Sequence, residues 1–198
     1  MKIYGDRYSG NCYKILLLLS ILEKPYEWIE VDIVKGETKT SAFLKLNPNG
    51  KIPVLELEDG KILSESNAIL NYLAEGSLLL PNNPFDRAKV LQWQFFEQYS
   101  HEPYIAVARF IKRYLNLPQE RILEFHSKQE GGKKALRVMD EHLSNNKFFV
   151  GDTITIADIS LFAYTHVADE GGFDLFNFPN VVAWINRIKK LQNFIPMG

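Results

Sequence analysis

Hydrophobic and polar positions follow two different periodicities along the chain, and the pattern changes near residue 76. Residues 26–33 (YEWIEVDI) alternate apolar and polar side chains with period two, which is typical of a half-buried strand. Residues 1–5 form a shorter strand candidate, and residues 11–22 carry apolar side chains densely enough to predict a helix packed on a sheet. This order predicts a β-α-β unit with parallel strands.

The stretch up to residue 75 adds a hairpin and two further helices to this unit. Its predicted elements are a short helix at 40–46, a loop at 47–50, a hairpin formed by 53–57 and 61–63, and a helix at 65–74. Ser64 is suited to cap the last helix, because its hydroxyl can accept from the amides of the first turn. The first part of the chain therefore predicts an α/β domain with the order βαβαββα.

Proline and asparagine residues at 81–84 predict a linker, and the periodicity beyond them is helical. We predict an α/β domain at 1–76, a linker at 77–85 and an all-helical domain at 86–198. The first helix of that domain, at about 86–114, is expected to kink at Pro103, where a backbone hydrogen bond is lost. Thr155 and Asp158 match a capping box, which we interpret as structural.

Composition narrows the range of partners. The chain has 23 basic and 24 acidic residues and a net charge of -1, which argues against a nucleic-acid or polybasic membrane surface. The single cysteine, Cys12, provides no disulfide framework and favours a reducing compartment, the cytoplasm. The apolar run at 15–22 is far shorter than the ~20 residues that a membrane-spanning helix needs. We expect a globular protein that binds a small ligand or another protein.

Three parts of the α/β domain carry candidate chemistry, and each also has a structural explanation. Ser9 and Asn11 follow the first strand and precede its helix, a position where a strand end and a helix N-terminus favour an anion. The Ile-Pro pair at 52–53 can simply start an edge strand, and the Glu-Ser pair at 65–66 can simply form an acidic first helical turn. From the residues alone, these alternatives stay open.

Taken together, three motifs resemble those of the cytosolic glutathione S-transferase family in order and spacing. They are SGNCYK at 9–14, NPNGKIP at 47–53 and ESNAI at 65–69. The resemblance extends over the whole chain, including the proline-rich linker, the aromatic helix after it and the capping box. The Ser-x-Asn loop with its following lysine is similar to the bacterial Nu-class branch, although that branch has glutamine and arginine at Thr38 and Thr40. The resemblance is therefore to a bacterial, serine-type member.

This resemblance implies a thioredoxin-like N-terminal domain, an all-α C-terminal domain, a homodimer and glutathione as co-substrate. It implies a cis bond before Pro53, so that the backbone of Ile52 pairs with the cysteinyl part of glutathione like an added strand. Glu65 would hold the γ-glutamyl ammonium, and Ser66 with the helix amides would hold the γ-glutamyl carboxylate. Lys51 is the candidate for the glycyl carboxylate, with a solvated lysine as the alternative.

The reacting group implied by the resemblance is the glutathione sulfur, whose thiol pKa of ~8.5 must fall to give useful thiolate at neutral pH. Ser9 matches the family's serine-type position and is expected to stabilise the thiolate by a donated hydrogen bond. Asn11 is the second candidate, because the corresponding asparagine contacts the sulfur in the Nu-class branch. Tyr4 and Tyr8 are weaker candidates. Cys12 could form a mixed disulfide if exposed, as in the cysteine-type classes, but its register is offset from theirs, and we interpret it as a small residue packed in the first helical turn.

A second substrate is expected between the domains, against the kinked helix. His101, Tyr104 and Arg109 cluster around Pro103 in sequence, and Arg109 could attract an acidic co-substrate. Core packing and a solvated arginine explain the same residues equally well, since apolar clefts and cores use the same side chains. The remaining histidines lack metal-ligand spacing and no phosphate-loop pattern occurs, so neither a metal nor a nucleotide is predicted.

Two enzymatic functions and one non-enzymatic function are compatible with these motifs. The first is a glutathione transferase that adds the activated thiolate to a small electrophile, as in detoxification. The second is a glutathione-dependent disulfide reductase or isomerase on the same fold, which the Ser-x-Asn loop indicates. The third is a binding or regulatory protein that keeps the fold without catalysis.

Overall fold

The computed structural model describes residues 1–198, which form two compact units. The first unit comprises Met1–Glu75 together with Gln192–Gly198, and the second comprises Gly76–Leu191. The final residues thus group with the first unit, whereas the sequence pattern predicts them in the helical domain. Hydrogen bonds explain this, because the Tyr13 hydroxyl donates to the Ile195 carbonyl and the Ser20 hydroxyl donates to the Asn193 carbonyl, each at 2.7 Å.

A four-stranded mixed sheet forms the base of the first unit. Its strands are β1 (Lys2–Gly5), β2 (Glu27–Glu30), β3 (Val54–Glu56) and β4 (Ile62–Ser64). Its helices are α1 (Gly10–Ile21), α2 (Ser41–Leu46) and α3 (Ser66–Ala74). The strand order is β2-β1-β3-β4, with β1 and β2 parallel and the other pairs antiparallel. The predicted thioredoxin-like order βαβαββα is confirmed.

The first helix is held very close to the first strand. Every residue of α1 from Cys12 to Leu19 is buried, and α1 also packs against α3. Gly5 permits the close approach, since a Cβ at this position would lie 2.6 Å from the Cys12 Sγ and 2.8 Å from the Trp28 ring. The N-terminus of α1 is therefore fixed directly beyond the end of β1.

The start of α3 differs from the prediction. Ser64 does not cap this helix, because it ends β4, where it pairs with Val54 across the hairpin. Glu65 occupies the N-cap position instead, with φ of 69° and ψ of 113°, and α3 begins at Ser66. A positive φ is unusual for a residue with a side chain, so the surrounding structure must impose this conformation on Glu65.

The second unit is helical. Its helices are α4 (Pro84–Phe96), α5 (Glu102–Arg109), α6 (Ile122–Leu143), α7 (Ile156–Thr165) and α8 (Pro179–Ile188). The predicted interruption near Pro103 takes the form of a π-helical turn at Glu97–His101, just before the proline. A wider turn there is consistent with the missing backbone donor of proline. In neither unit is there a helix with both the length and the apolar composition needed to cross a membrane.

α7 lies at the centre of the helical unit, and all of its residues are buried. The predicted capping box is present at its start. The Thr155 Oγ1 accepts from the Ala157 amide at 3.3 Å, and the Asp158 Oδ2 accepts from the Thr155 amide at 2.9 Å. Asp158 has three further donors, because its Oδ2 accepts from the Thr155 hydroxyl at 3.1 Å and its Oδ1 accepts from the Phe149 amide at 3.1 Å and the Trp184 Nε1 at 3.0 Å.

Candidate functional site

The loop between β1 and α1 holds the first predicted site residue, Ser9. Asp6 shapes this loop: its carboxylate accepts from the Tyr8 amide at 2.7 Å, and its carbonyl accepts from the Ser9 amide at 3.0 Å. Ser9 is the N-cap residue of α1 by position, but its side chain makes no capping hydrogen bond. Its half-buried hydroxyl therefore lies at the positive end of the α1 dipole without being used as the cap.

Cys12 lies one turn further along α1 and is fully buried. Burial raises the pKa of its thiol to about 12, although hydrogen bonds to the Asp6 backbone and the Ser9 side chain lower it in part. A thiol with that pKa is protonated at neutral pH and is a poor nucleophile. Its position against Gly5 agrees with the predicted packing role.

A hydrogen-bond network joins α1 to the start of α3. The Lys14 Nζ donates to the Asn11 Oδ1 at 2.8 Å and to the Ser66 Oγ at 3.3 Å, and the Ser66 hydroxyl donates to the same Asn11 Oδ1 at 3.1 Å. Two predicted site residues, Asn11 and Ser66, are thereby brought together from positions 55 residues apart. Sequence analysis included Lys14 in the first motif but gave it no role, although a lysine between Tyr13 and Ile15 in an apolar run is a recognisable signal.

The predicted strand-pairing position lies just before β3. The Ile52–Pro53 peptide bond is cis, as the resemblance implies. Ile52 lies before β3, and its amide and carbonyl make no backbone hydrogen bond in the turn or the loop around it. The neighbouring carbonyl of Lys51 accepts from the Asn47 Nδ2 at 2.7 Å, which anchors the loop. The Ile52 amide and carbonyl are thus available to an extended ligand.

Two lysines flank the loop that leads to Ile52. The Lys51 side chain is exposed, and the Lys39 Nζ donates to the Gly50 carbonyl at 3.3 Å. Gly50 has φ of +62°, a conformation that favours glycine, and a Cβ there would lie 3.1 Å from the Thr38 carbonyl oxygen. Sequence analysis named Lys51 but missed Lys39, because the contact depends on how the loop folds back.

The residues at the start of α3 present two different environments. Glu65 is exposed, whereas Ser66 is only 5% exposed and belongs to the network with Lys14. The amides of the first turn of α3 follow directly, and such amides favour an anion. Tyr4 is not part of this arrangement, since its hydroxyl donates to Glu56 at 2.5 Å and this bond contributes most to raising the tyrosine pKa to about 12.

The three residues predicted for a second substrate lie in different surroundings within the helical unit. His101 is fully buried and its Nε2 lies 2.9 Å from the Thr165 Oγ1. Arg109 is only 3% exposed, and its Nε donates to Glu170 at 2.6 Å. These partners give both residues a structural role, so their contact with a substrate stays a prediction without added support.

Tyr104 lines a cavity in the helical unit. This cavity of about 250 Å³ is lined by Phe96, Tyr99, Ser100, Tyr104, Gly131, Lys134, Ala135 and Val138. The Tyr104 ring lies on the α6 backbone, since a Cβ at Gly131 would lie 2.2 Å from the Tyr104 Cδ1. No group of three or more His, Cys, Asp or Glu side chains is arranged to hold a metal ion.

Comparison with known proteins links this arrangement to one family. The profile described as the glutathione S-transferase N-terminal domain matches residues 1–75, and the corresponding C-terminal domain profile matches residues 119–191. A crystal structure of a glutathione S-transferase from Pseudomonas fluorescens is 61% identical, with a TM-score of 0.97, and the match covers 99% of this chain and 98% of that chain.

Two further relatives differ in the chemistry that their names state. The disulfide-bond oxidoreductase YfcG of Escherichia coli is 31% identical over 188 residues, covering 91% of this chain and 86% of the relative. A maleylacetoacetate isomerase from Methylobacterium extorquens, solved with bound malonate and glutathione, is 28% identical with a TM-score of 0.82, covering 98% of this chain and 94% of that chain.

Proposed function

The chain belongs to the glutathione S-transferase family, and from that premise we propose that it binds glutathione and activates its thiol for conjugation to a small electrophile. The observation that carries the proposal is the 3.1 Å contact between Asn11 and Ser66. It unites the residue proposed for the sulfur and the residue proposed for the γ-glutamyl carboxylate in one network. We further propose a serine-type enzyme with a Ser-x-Asn loop, working in the cytoplasm in detoxification.

Each part of glutathione has a proposed partner in the first unit. The γ-glutamyl carboxylate binds at Ser66 and the first amides of α3, and the γ-glutamyl ammonium binds the exposed carboxylate of Glu65. The cysteinyl backbone pairs with Ile52, which has no strand partner of its own. The glycyl carboxylate lies near the ammonium groups of Lys39 and Lys51.

The chemistry follows from the position of the sulfur at the start of α1. Hydrogen bonds donated by Ser9 and Asn11, together with the helix dipole, stabilise the thiolate over the thiol and so lower the thiol pKa. The thiolate sulfur then forms a bond to the electrophilic carbon, and a leaving group such as halide departs with the electron pair of the broken bond. Neither Ser9 nor Asn11 needs to act as a base in this step.

Substitution of Ser9 tests the proposed role of its hydroxyl. In Ser9→Ala, the pKa of the bound glutathione thiol, followed by thiolate absorbance, should rise by about one unit, because one donor to the sulfur is lost. Turnover of an aryl halide should fall in parallel. Ser20→Ala is the matched control, since Ser20 lies at the other end of α1 and donates to the Asn193 carbonyl. An unchanged thiol pKa in Ser9→Ala would remove Ser9 from the mechanism.

Disulfide reduction is the second candidate function, and the similarity to YfcG favours it. Here the thiolate attacks a disulfide sulfur, a mixed disulfide forms, and the other sulfur leaves as a thiolate. A panel of aryl halide, hydroxyethyl disulfide and peroxide substrates separates the functions by relative turnover. Retention on glutathione resin without turnover of any of them would indicate a binding protein, and failure to be retained would contradict the proposed ligand.

We also propose that the protein is a homodimer. Leu91, Phe95 and Tyr99 are 41%, 68% and 86% exposed and recur every four residues, so they form one apolar stripe along α4 and the π-helical turn. Apolar stripes of this kind mark protein contacts. Phe95→Glu should convert a dimer into a monomer by light scattering, whereas Phe176→Glu, at a 91% exposed site elsewhere, should not. A monomeric wild type would refute the proposal.

A further inference from the structure

Lys14 is an unusual residue for the middle of an apolar helix run. Its side chain is fully buried and is among the largest fully buried side chains of the chain. Lysine is among the residues least often fully buried, because removing an ammonium group from water is costly unless other groups replace the water. The buried position therefore indicates a specific use of the ammonium group.

The hydrogen bonds of Lys14 determine how Asn11 is oriented. An ammonium group can only donate, so the Asn11 side-chain atom 2.8 Å from the Lys14 Nζ must be the oxygen. The Ser66 hydroxyl donates to the same oxygen at 3.1 Å. With its oxygen held by two donors, the planar amide of Asn11 can offer a ligand only its NH₂ group.

The Ser66 hydroxyl has one proton, so it cannot donate a hydrogen bond to Asn11 and to a ligand carboxylate at the same time. Its single hydroxyl proton is given to Asn11 in this structure, while its oxygen accepts from the Lys14 Nζ at 3.3 Å. A carboxylate bound at the start of α3 competes for that proton, because charged acceptors form the stronger hydrogen bonds. When Ser66 turns to the carboxylate, Lys14 still holds the Asn11 oxygen.

We propose that Lys14 is a positioning residue for the thiol of bound glutathione, acting through Asn11. It keeps the Asn11 NH₂ directed to the ligand after the γ-glutamyl carboxylate has taken the Ser66 hydroxyl. The inference rests on the proposed glutathione site and adds a residue to it. It explains why a buried lysine joins α1, where the sulfur is proposed to lie, to α3, where the γ-glutamyl group is proposed to bind.

The first test replaces the ammonium by an apolar chain of similar length. In Lys14→Met, the pKa of the bound glutathione thiol should rise by about one unit, a tenfold loss of thiolate, because Asn11 is no longer held as a donor. Lys24→Met is the matched control, since Lys24 follows the other end of α1 and donates to the Leu73 carbonyl at 2.8 Å. An unchanged thiol pKa in a folded Lys14→Met variant would overturn the proposal.

A double-mutant cycle separates positioning from a direct effect of charge. If Lys14 acts through Asn11, then Lys14→Met should change the thiol pKa little in the Asn11→Ala background. An equal rise in both backgrounds would overturn the proposal, because Lys14 would then act on the sulfur directly. If Lys14→Met does not fold, Lys14→Gln replaces it in the test. Because glutamine keeps a donor for Asn11, the pKa of the bound glutathione thiol should then rise by less than about half a unit.

A measurement without ligand distinguishes failure of this inference from failure of the proposed function. The side-chain amide signals of Asn11 in nitrogen-15 NMR spectra should be sharp and dispersed in the wild type, and should shift or broaden in Lys14→Met but not in Lys24→Met. Unperturbed Asn11 signals in Lys14→Met would refute the positioning role. A wild type that fails to bind glutathione yet shows the NMR effect would refute only the proposed ligand.

Discussion

Two buried polar clusters, one in each unit, lie at the starts of helices but differ in what they can offer a ligand. In the helical unit, the fully buried Asp158 accepts from two amides, a hydroxyl and an indole N–H at 2.9–3.1 Å. All of these donors belong to the chain, and the nearby Thr155 is only 2% exposed. This cluster is closed, since its carboxylate is fully occupied by structure.

The cluster in the first unit has the opposite character. Lys14 is buried, but the residues it serves include Asn11, which is half-buried, and the hydroxyl of Ser9 beside it is half-buried as well. Its donors thus reach the surface at the N-termini of α1 and α3. A buried polar cluster stabilises a fold when its donors and acceptors are matched internally, and it forms a binding site when donors extend to a solvent-accessible edge.

The largest effect is expected from opening the closed cluster. Asp158→Ala leaves the Thr155 amide, the Phe149 amide and the Trp184 indole without their acceptor, so the free energy of unfolding should fall by about 3–5 kcal/mol. Urea unfolding followed by circular dichroism measures it. Asp152→Ala, at an exposed loop position nearby, should change stability little. Similar losses in both variants would contradict the contrast between the clusters.

The open cluster should respond in activity more than in stability. Asn11→Ala removes a donor proposed for the sulfur, and kcat/KM for conjugation should fall about 100-fold. The free energy of unfolding should fall by about 2 kcal/mol, less than in Asp158→Ala, because the buried Lys14 ammonium loses one acceptor while water can reach the half-buried position of Asn11. Asn71→Ala is the control, since the Asn71 Nδ2 donates to the Asn67 carbonyl within α3. A loss of stability without loss of kcat/KM would reverse the interpretation.

α7 carries two opposing pH dependences, one from Asp158 in its first turn and one from His166 at its C-cap. The His166 ring stacks on Phe162 with 4.4 Å between centroids, and burial lowers the histidine pKa to about 4. Stability from the neutral histidine is present above its ordinary pKa of 6.5 and is lost as pH falls toward 4. Burial raises the Asp158 pKa to about 6, so its contribution is present below 3.8 and is lost as pH rises toward 6.

Removing the titrating group of His166 should leave the pH dependence of Asp158 as the one that remains in α7. His166→Phe keeps a stacked ring but removes the titrating nitrogen. The variant should therefore lose less stability than the wild type between about pH 7.5 and about pH 4.5, and the two losses in free energy of unfolding should differ by about 1–2 kcal/mol. Urea unfolding at the two pH values gives the difference. His126→Phe, at an exposed position, is the control. An equal offset at both pH values would mean that His166 does not titrate in this range.

The smallest effect is expected at Glu65, where one substitution should increase stability and weaken glutathione binding. Glycine tolerates the φ of 69° found there, so Glu65→Gly should raise the free energy of unfolding by about 1 kcal/mol. It should also weaken glutathione binding about tenfold, because the carboxylate proposed for the ammonium is lost. Glu65→Gln is the control that keeps the strained backbone and loses only the charge. A less stable Glu65→Gly would show that no strain resides at this position.

Much of the architecture could be predicted from sequence because it depends on neighbouring residues. Alternating residues place β2, the apolar run places α1, and the Thr155 and Asp158 pattern marks the start of α7. The three motifs likewise identified the candidate glutathione site from residues that lie close together in the chain. Periodicity and capping are local properties, so they can be recognised without knowing how the chain packs.

The sequence by itself determined the element order, the family and the stretches that form the candidate site. Only the tertiary structure decided that Lys14 joins Asn11 to Ser66, that Glu65 and not Ser64 precedes α3, and that Arg109 pairs with Glu170. The reason is physical. Whether a lysine or an arginine is solvated or buried depends on partners more than 50 residues away, and only packing brings those partners within hydrogen-bond distance.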